Sequence, residues 1–311
     1  MKNNIAIRDA FGAALEKLGY QNEKVIALEA DVGSSSKSIV FGKAFPHRYF
    51  NVGISELNMV SMAASFASNG LIPFVNTFAV FMTTRAADPI NSLIAYDHLN
   101  VKLCGTYCGL SDAYDGASHH AVSDVAFMRT LPGMTVISVC DAVETEKAVF
   151  AAAELNGPVY LRLSRADMPV IFDESYSFEI GKGAILSQGS DVTIFATGYM
   201  VHKALEAEQL LKEEGISAKV VDIHTIKPLD EELVVACAKE TGAVVTAEEH
   251  SIYGGLGSAV AEVLAQNAPV PMGFVGMKTY AESGDYEQLL QKYNLDADAI
   301  VKKVKETIAK K

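Results

Sequence analysis

The chain has 311 residues, of which 50% are hydrophobic and 21% are charged, so its composition is that of a folded protein and not of a disordered one. Its 38 acidic residues outnumber its 26 basic residues, and the resulting net charge of -12 argues against a nucleic-acid partner. The first residues lack a signal-peptide core, and no stretch reaches about 18 apolar residues, so we expect a cytoplasmic protein that does not cross a membrane.

Helical and strand patterns alternate through the first half of the chain. Apolar residues at three- or four-residue spacing predict helices, and short apolar runs between turn residues predict strands. The predicted helices are 8–18, 56–68, 85–96 and 141–155, and the predicted strands are 25–28, 71–75, 101–106, 135–139 and 159–163. This alternation predicts a parallel sheet with helices on both faces.

A linker-like stretch then separates this half from a second one. Between 163 and 192 the pattern weakens into proline, acidic residues and glycines, with room for a hairpin. We therefore predict two domains, 1–180 and 181–311. The second contains predicted strands 192–197, 219–223, 243–248 and 271–275, predicted helices 201–214, 230–241 and 257–266, and a lysine-rich surface helix over 296–311. The predicted fold class is α/β, with two parallel-sheet domains.

Two weaker patterns are interpreted as structural. The four cysteines are too scattered for a disulfide framework or a zinc site and are expected to be reduced core thiols: Cys104, Cys108, Cys140 and Cys237. The segment Gly254–Gly257 follows a strand and precedes a helix, as phosphate loops do. However, Glu248 and Glu249 would repel a phosphate there, so a tight turn is the favoured interpretation.

Three segments contain residues suited to chemistry. Glu56 lies in the first turn of a helix whose later residues are almost all small or apolar, so we expect its carboxyl to be buried. Phe78 and Phe81 follow about twenty residues later. The loop 110–120 after a strand carries two acidic residues and two adjacent histidines. Loops after parallel strands are where α/β proteins bind ligands.

These segments resemble transketolase, a thiamine diphosphate enzyme, in its pyrimidine-binding and C-terminal domains. The resemblance runs from about Ile7 to the end of the chain, with the motifs in the family's order. The motifs are Gly53-Ile54-Ser55-Glu56-Leu57-Asn58-Met59, Thr77-Phe78 with Phe81, Asp115-Gly116-Ala117-Ser118-His119 and Leu163-Ser164-Arg165. Deoxyxylulose-phosphate synthase and the beta subunits of 2-oxoacid dehydrogenases share this pair of domains.

The resemblance implies a binding site for the aminopyrimidine of the cofactor. Glu56 would be catalytic: it would hydrogen-bond N1′ and favour the imino tautomer, whose nitrogen takes the proton from C2 of the thiazolium. A buried glutamate can share a proton with a ring nitrogen in this way. Phe78 and Phe81 would present an aromatic face to the pyrimidine. A third aromatic residue of the family is replaced by Thr84, so the stack is thinner here.

The resemblance also implies a sugar site. Arg8, Ser35 and Arg165 would bind the phosphate or sulfonate of the substrate, because two guanidinium groups and a hydroxyl suit a tetrahedral anion. His119 would be catalytic, transferring protons and binding a hydroxyl above the thiazolium. Asp115 would hold a second substrate hydroxyl.

The sugar site departs from the family pattern at several positions. Tyr107 stands where the family has a histidine, Ala113-Tyr114 replace the usual Gly-Glu, and His120 replaces a glutamine. Tyr107 is accordingly expected to contact the substrate. Because such positions contact ketose hydroxyls in the family, a non-standard sugar is indicated.

One family motif is missing. A Gly-Asp-Gly segment binds Mg2+ and the cofactor's diphosphate in this superfamily, and the 311 residues contain none. We therefore assign no metal ligand to this chain and expect a separate N-terminal, diphosphate-binding transketolase subunit to supply them. The expected assembly is α2β2, and the chain alone should be inactive.

The resemblance predicts a transketolase subunit that transfers a two-carbon ketol unit from a ketose to an aldose. Three alternatives stay open: a 2-oxoacid dehydrogenase beta subunit, a deoxyxylulose-phosphate synthase-like subunit, and a non-catalytic partner with the same fold.

Overall fold

The computed structural model describes residues 4–311. Its strands are β1 Asn4–Ala6, β2 Val25–Glu29, β3 Tyr49–Asn51, β4 Ile72–Phe78, β5 Lys102–Thr106, β6 Thr135–Ser138, β7 Val159–Leu163, β8 Asp167–Pro169, β9 Ala184–Ser187, β10 Val192–Ala196, β11 Ala218–Asp222, β12 Thr225–Lys227, β13 Val244–Ser251 and β14 Met272–Met277.

The helices cover the faces of the sheets. They are α1 Ile7–Gln21, α2 Gly33–Ser36, α3 Ile39–Ala44, α4 Glu56–Ser68, α5 Ala79–Arg85, α6 Ala87–Pro89, α7 Asp124–Thr130, α8 Ala142–Glu154, α9 Met200–Glu213, α10 Glu231–Thr241, α11 Leu256–Asn267, α12 Tyr286–Lys292 and α13 Ala297–Ile308. A 3-10 turn covers Pro46–Arg48 and a π-helical segment covers Ile90–Ala95. Within residues 4–311, no helix combines the length and apolar character needed to span a bilayer.

The larger sheet has seven strands in the order β12-β6-β7-β5-β4-β2-β3. The six strands from the first half of the chain are parallel, which confirms the predicted fold class. The edge strand β12 comes from the second half and pairs antiparallel with β6. The two halves therefore share this sheet, and the boundary near residue 180 stays a prediction.

The smaller sheet has five strands in the order β14-β13-β10-β11-β9. All are parallel except β9, which pairs antiparallel with β11. The hairpin allowed for between 163 and 192 does not form, because β8 pairs with β1 and β9 pairs with β11. The lysine-rich helix α13 buries Ile300 and Val304 under the sheet and exposes its other face, as its amphipathic pattern predicted.

The predicted helix over 85–96 is wrong in its bounds. Helix α5 already begins at Ala79, and the helical path is interrupted at Ala86 and continues as a π-helical segment after Pro89. Proline has no amide hydrogen to donate to the carbonyl four residues earlier, so a regular α-helix cannot run through it. Because α5 begins at Ala79, Phe81 lies on a helix directly after β4.

The cysteines agree with the sequence pattern, and helix α8 has a side-chain cap at its N-terminus. All four cysteines are buried and unpaired, and burial raises the pKa of the Cys104 and Cys140 thiols, so they remain neutral. Asp141 caps α8 by accepting a 2.7 Å hydrogen bond from the Glu144 amide. The Glu144 side chain accepts from the Cys140 amide at 2.8 Å.

A buried carboxyl pair lies where the two halves meet. Glu144 and Asp222 are both fully buried, and Tyr176 donates to Glu144 Oε1 at 3.1 Å. Burial raises the pKa of Glu144 to about 7, and burial together with the charge of Glu144 raises the pKa of Asp222 well above its usual range. The folded pair therefore keeps a proton that the unfolded chain would release.

Asp222→Asn is expected to stabilise the protein at neutral and alkaline pH. Folding raises the pKa of Asp222 well above its unfolded value of 3.8, mainly through burial, so the stability that this carboxyl contributes at low pH is lost as the pH rises above that value. The asparagine amide can donate to Glu144 in place of the retained proton. We expect a gain of about 1–2 kcal/mol in the free energy of unfolding at about pH 8 and almost none at about pH 4, by urea denaturation at both pH values. An equal change at both pH values would contradict this account.

Candidate active site

The predicted site residues gather at the carboxyl edge of the larger sheet. Phe78 ends β4, Tyr107 follows β5, and Arg165 follows β7. These strands are parallel neighbours, so their carboxyl ends meet at one edge. The loop that carries Asp115 and His119 starts from the same edge, where α/β proteins bind ligands.

Glu56 begins α4 and is buried as predicted, with 5% of its surface exposed. Its Oε1 accepts a 2.8 Å hydrogen bond from Arg85 Nη1. The Cζ of Arg85 lies 3.8 Å from the centre of the Phe81 ring. A planar, nitrogen-rich group is thus bonded to the carboxylate and lies over an aromatic face at the same time.

The aromatic residues form one cluster. The ring of Phe78 stacks on Tyr107, with centroids 4.3 Å apart and planes 23° apart. Phe81 lies 5.8 Å from Phe78, and the His119 ring meets Phe81 edge-on at 5.1 Å. Tyr107 has a φ of 58°, a left-handed backbone that costs a non-glycine residue about 1 kcal/mol. The fold keeps the Tyr107 ring in this cluster despite that strain.

The two predicted arginines flank the Tyr107 ring. Arg8 Nη1 donates to the Tyr107 hydroxyl at 2.6 Å, and Arg165 Cζ lies 5.2 Å from the ring centre. Arg8 Nη1 also lies 3.5 Å from the carbonyl oxygen of Ser35. Ser35 therefore contacts Arg8 through its backbone and not through its hydroxyl. Arg8 Nε is buried and has no hydrogen-bond partner, which is rare for a buried donor.

The loop acids form a charged network with Arg165. Asp112 is fully buried, and its Oδ1 accepts from Arg165 Nη1 at 3.1 Å. Ligand atoms of Asp112, Asp115 and His119 all lie within 4.8 Å of one another. Burial and the neighbouring charge of Asp115 raise the pKa of Asp112 to about 6. The network can accept or release a proton near neutral pH, and its three side chains are also close enough to ligate a cation.

Two other positions that depart from the family pattern, His120 and Tyr114, occupy different environments. His120 is buried, and neither ring nitrogen has a hydrogen-bond partner. Burial lowers the pKa of His120 and so favours its neutral form. Tyr114 is 68% exposed.

His119, the predicted proton-transfer residue, is half-buried. Its Nδ1 lies within hydrogen-bonding distance of Ser118 Oγ, at 3.0 Å.

Residues from the second half of the chain contact the loop 110–120. Glu249 Oε1 accepts from the Leu110 amide at 2.5 Å, and Tyr286 donates to Glu249 Oε2 at 3.1 Å. The amide of Gly284 donates to the carbonyl of Ala113 at 3.1 Å. Burial raises the pKa of Glu249 to about 7. The loop that carries the predicted sugar-binding residues therefore depends on contacts with the C-terminal half.

Glu249→Ala is expected to loosen the loop, because the Leu110 amide loses its buried acceptor. Hydrogen exchange at residues 109–122 should become at least about tenfold faster, while exchange in β4 stays unchanged. Glu249→Gln is the matched control, since its side-chain oxygen can still accept from Leu110. Wild-type protection of the loop in Glu249→Ala would show that Glu249 is not needed to hold it.

The turn before α11 is not a phosphate site. Glu248 fills the N-terminus of this helix: its Oε2 accepts from the Leu256 amide at 2.7 Å and its Oε1 from the Gly257 amide at 2.8 Å. A carboxylate already satisfies the donors that a phosphate would use. Gly254 has a φ of 78°, as the favoured tight-turn interpretation requires.

Three residues of this region were missed by sequence reasoning. They are Arg85, Asp112 and Glu249. Arg85 is 29 positions from Glu56, and Glu249 is 139 positions from Leu110, so no local spacing could pair them. For Asp112 a signal existed, because the predicted loop contained two acids and only Asp115 was given a role.

Two family models match the chain in the order that the sequence predicted. "Transketolase, pyrimidine binding domain" matches residues 3–170 and "Transketolase, C-terminal domain" matches residues 181–300. The chain therefore belongs to the transketolase family.

The relatives include proteins of this length and proteins twice as long. A solved structure described as a split gene transketolase, inactive beta4 tetramer, is 47% identical with a TM-score of 0.92, and the match covers 99% of this chain and 100% of that one. The 6-deoxy-6-sulfo-D-fructose transketolase subunit SqwH of Clostridium sp. is 40% identical, covering 98% of this chain and 95% of the relative. Human transketolase is 38% identical over 99% of this chain, which spans 50% of its length.

Proposed function

We propose that this chain is the pyrimidine-binding subunit of a split transketolase, and that it transfers a two-carbon ketol unit from a ketose to an aldose together with a separate N-terminal subunit. Thiamine diphosphate and Mg2+ would be bound jointly, with the metal ligands on the partner. The observation that carries the proposal is the placement of a planar nitrogen group between Glu56 and Phe81, where Arg85 now lies.

The residues fit the aminopyrimidine of the cofactor. The Arg85 guanidinium is hydrogen-bonded to Glu56 while its Cζ lies 3.8 Å from the Phe81 ring centre, which supports a flat nitrogen-containing group taking the same pose. Arg85 is 47% exposed, so its side chain can move aside. Glu56 would then hold a proton at N1′ of the pyrimidine, and Phe81 would support the ring.

When bound, the thiazolium ring supplies the electron sink that allows cleavage of the bond beside the ketose carbonyl. This chain would position the sugar for that cleavage. His119, beside Phe81, would move protons at the substrate hydroxyls, and Asp115 would hold one of them. Arg8, Ser35 and Arg165 would bind the anionic end of the sugar, with the Tyr107 ring between the two arginines.

A partner subunit is supported by both sequence and surface. The chain contains no Gly-Asp-Gly segment and spans about half of human transketolase. Next to Glu56, Ile54 and Leu57 are 74% and 54% exposed, which leaves apolar surface at the rim of the site. Burying such surface is a common role of subunit interfaces. We propose an α2β2 assembly in which the diphosphate-binding subunit covers this rim.

The test is ketol transfer by this chain mixed with a subunit of about 270 to 300 residues that contains Gly-Asp-Gly, the size that completes a transketolase. Donors should include phosphorylated, sulfonated and unmodified ketoses, each with and without thiamine diphosphate and Mg2+. Activity only in the complete mixture is expected. Pyruvate turnover instead would favour a 2-oxoacid dehydrogenase or a synthase, and silence from a well-assembled complex would favour a non-catalytic partner.

A further inference from the structure

The end of the proposed sugar site that would bind the substrate's anionic group contains two arginines with different electrostatic surroundings. In the described part of the chain, Arg8 pairs with no carboxylate, and its partners are the neutral Tyr107 hydroxyl and Ser35 carbonyl. Arg165 pairs with Asp112 at 3.1 Å. One guanidinium charge is therefore uncompensated and the other is neutralised within the protein.

Asp112 is placed to act on a bound anion through Arg165. Its carboxyl is fully buried, so little solvent screens its charge. Its Oδ2 has no hydrogen-bond partner, and Asp115 adds a second carboxylate to the same group. Arg8, Arg165 and the buried Asp112 together carry a net charge near one positive unit when Asp112 is ionised, and the exposed carboxylate of Asp115 lowers the net charge of this end further.

We infer that Asp112 is a specificity-determining residue. It fits the anion-binding end of the site to a sugar carrying one negative charge, such as a sulfonate, and disfavours a phosphate dianion. This rests on the proposed function. The repulsion between Asp112 and a ligand is proportional to the ligand's charge. This repulsion therefore costs a dianion twice as much binding free energy as a monoanion of the same shape. A sulfonate remains singly charged throughout the physiological range, whereas a phosphate ester is mostly a dianion above about pH 6.

The test compares D-fructose 6-phosphate with 6-deoxy-6-sulfo-D-fructose as donors, which differ in the charge of the terminal group and in the bridging oxygen that the sulfonate lacks. The change in their ratio on removing the Asp112 charge isolates the effect of charge, because the difference in the bridging oxygen is the same for the wild-type and variant complexes. The acceptor should be uncharged D-glyceraldehyde, so that only the donor's charge varies. The assay uses the assembled complex at about pH 8, where Asp112, with its pKa raised to about 6, is ionised.

The wild-type complex should use the sulfonated donor at least as well as the phosphorylated one, judged by kcat/KM. Asp112→Asn keeps the size and an oxygen for Arg165 but removes the charge, and it should raise the phosphate-to-sulfonate ratio about tenfold. Asp298→Asn, an equal change in charge at an exposed residue of α13, should leave the ratio unchanged.

Two results would overturn the inference: a wild-type preference for phosphate of more than about tenfold, or an active Asp112→Asn complex with an unchanged ratio. If that variant fails to assemble, the wild-type ratio alone decides. Failure of the proposed function looks different, because the wild-type complex would then transfer no ketol unit from any donor, and the inference would fall with it.

Discussion

Glu56→Gln is expected to reduce ketol transfer by the assembled complex at least about a thousandfold. The glutamine keeps the size of the side chain and an oxygen for Arg85, but its amide cannot share a proton with a ring nitrogen. Position alone would allow a simpler role, since Glu56 begins a helix and carboxylates favour helix N-termini. Activity should be measured under saturating thiamine diphosphate, with assembly of the complex checked by size.

Arg85→Gln separates the two roles of Glu56. If Glu56 only pairs with Arg85 at 2.8 Å, removing either partner should have the same effect. If Glu56 acts on the cofactor, Arg85→Gln should keep activity within about tenfold and bind thiamine diphosphate no more weakly, because the guanidinium no longer lies over Phe81. A Glu56→Gln complex that retains more than about a tenth of wild-type activity would refute the catalytic role.

Local patterns predicted the elements that bury continuous apolar surface. Helix α4 has the predicted bounds Glu56–Ser68, and the central strands lie within a few residues of the predicted ones. The short strand β12 was missed because three residues, Thr225–Lys227, carry little pattern and gain their structure by pairing with β6 across the two halves. Tertiary pairing decides such segments, and a single sequence does not display it.

In the candidate site too, some residues could be predicted from the sequence and others could not. Its motif residues could be named from the sequence because each motif is contiguous and resembles a family pattern. Their partners could not: Arg165 meets Asp112 across 53 positions, and Leu110 meets Glu249 across 139. The fold brings these pairs together through parallel strand order and through the docking of the second half. The net charge of the proposed sugar site depends on the pairing of Asp112 with Arg165, which the sequence alone did not indicate.

The largest loss of stability is expected from Asp124→Asn. Arg162 is 3% exposed, and its Nε donates to Asp124 Oδ2 at 2.7 Å, where Tyr160 also donates. Burial alone would raise the pKa of Asp124, but the charges of Arg162 and His250 outweigh it and lower the pKa, so the pair is ionised. The variant leaves a buried guanidinium without a counter-charge, a change that costs about 3–5 kcal/mol.

The loss should reach both halves of the chain, because Arg162 Nη2 also donates to the carbonyl of Glu249 at 2.9 Å. Urea denaturation should show the free energy of unfolding falling by about 3–5 kcal/mol. The double variant Asp124→Leu with Arg162→Met removes both charges and should lose less than Asp124→Asn, since an apolar pair needs no counter-charge. A loss below about 1 kcal/mol in Asp124→Asn would mean that carbonyl oxygens and Tyr160 alone can hold the Arg162 charge.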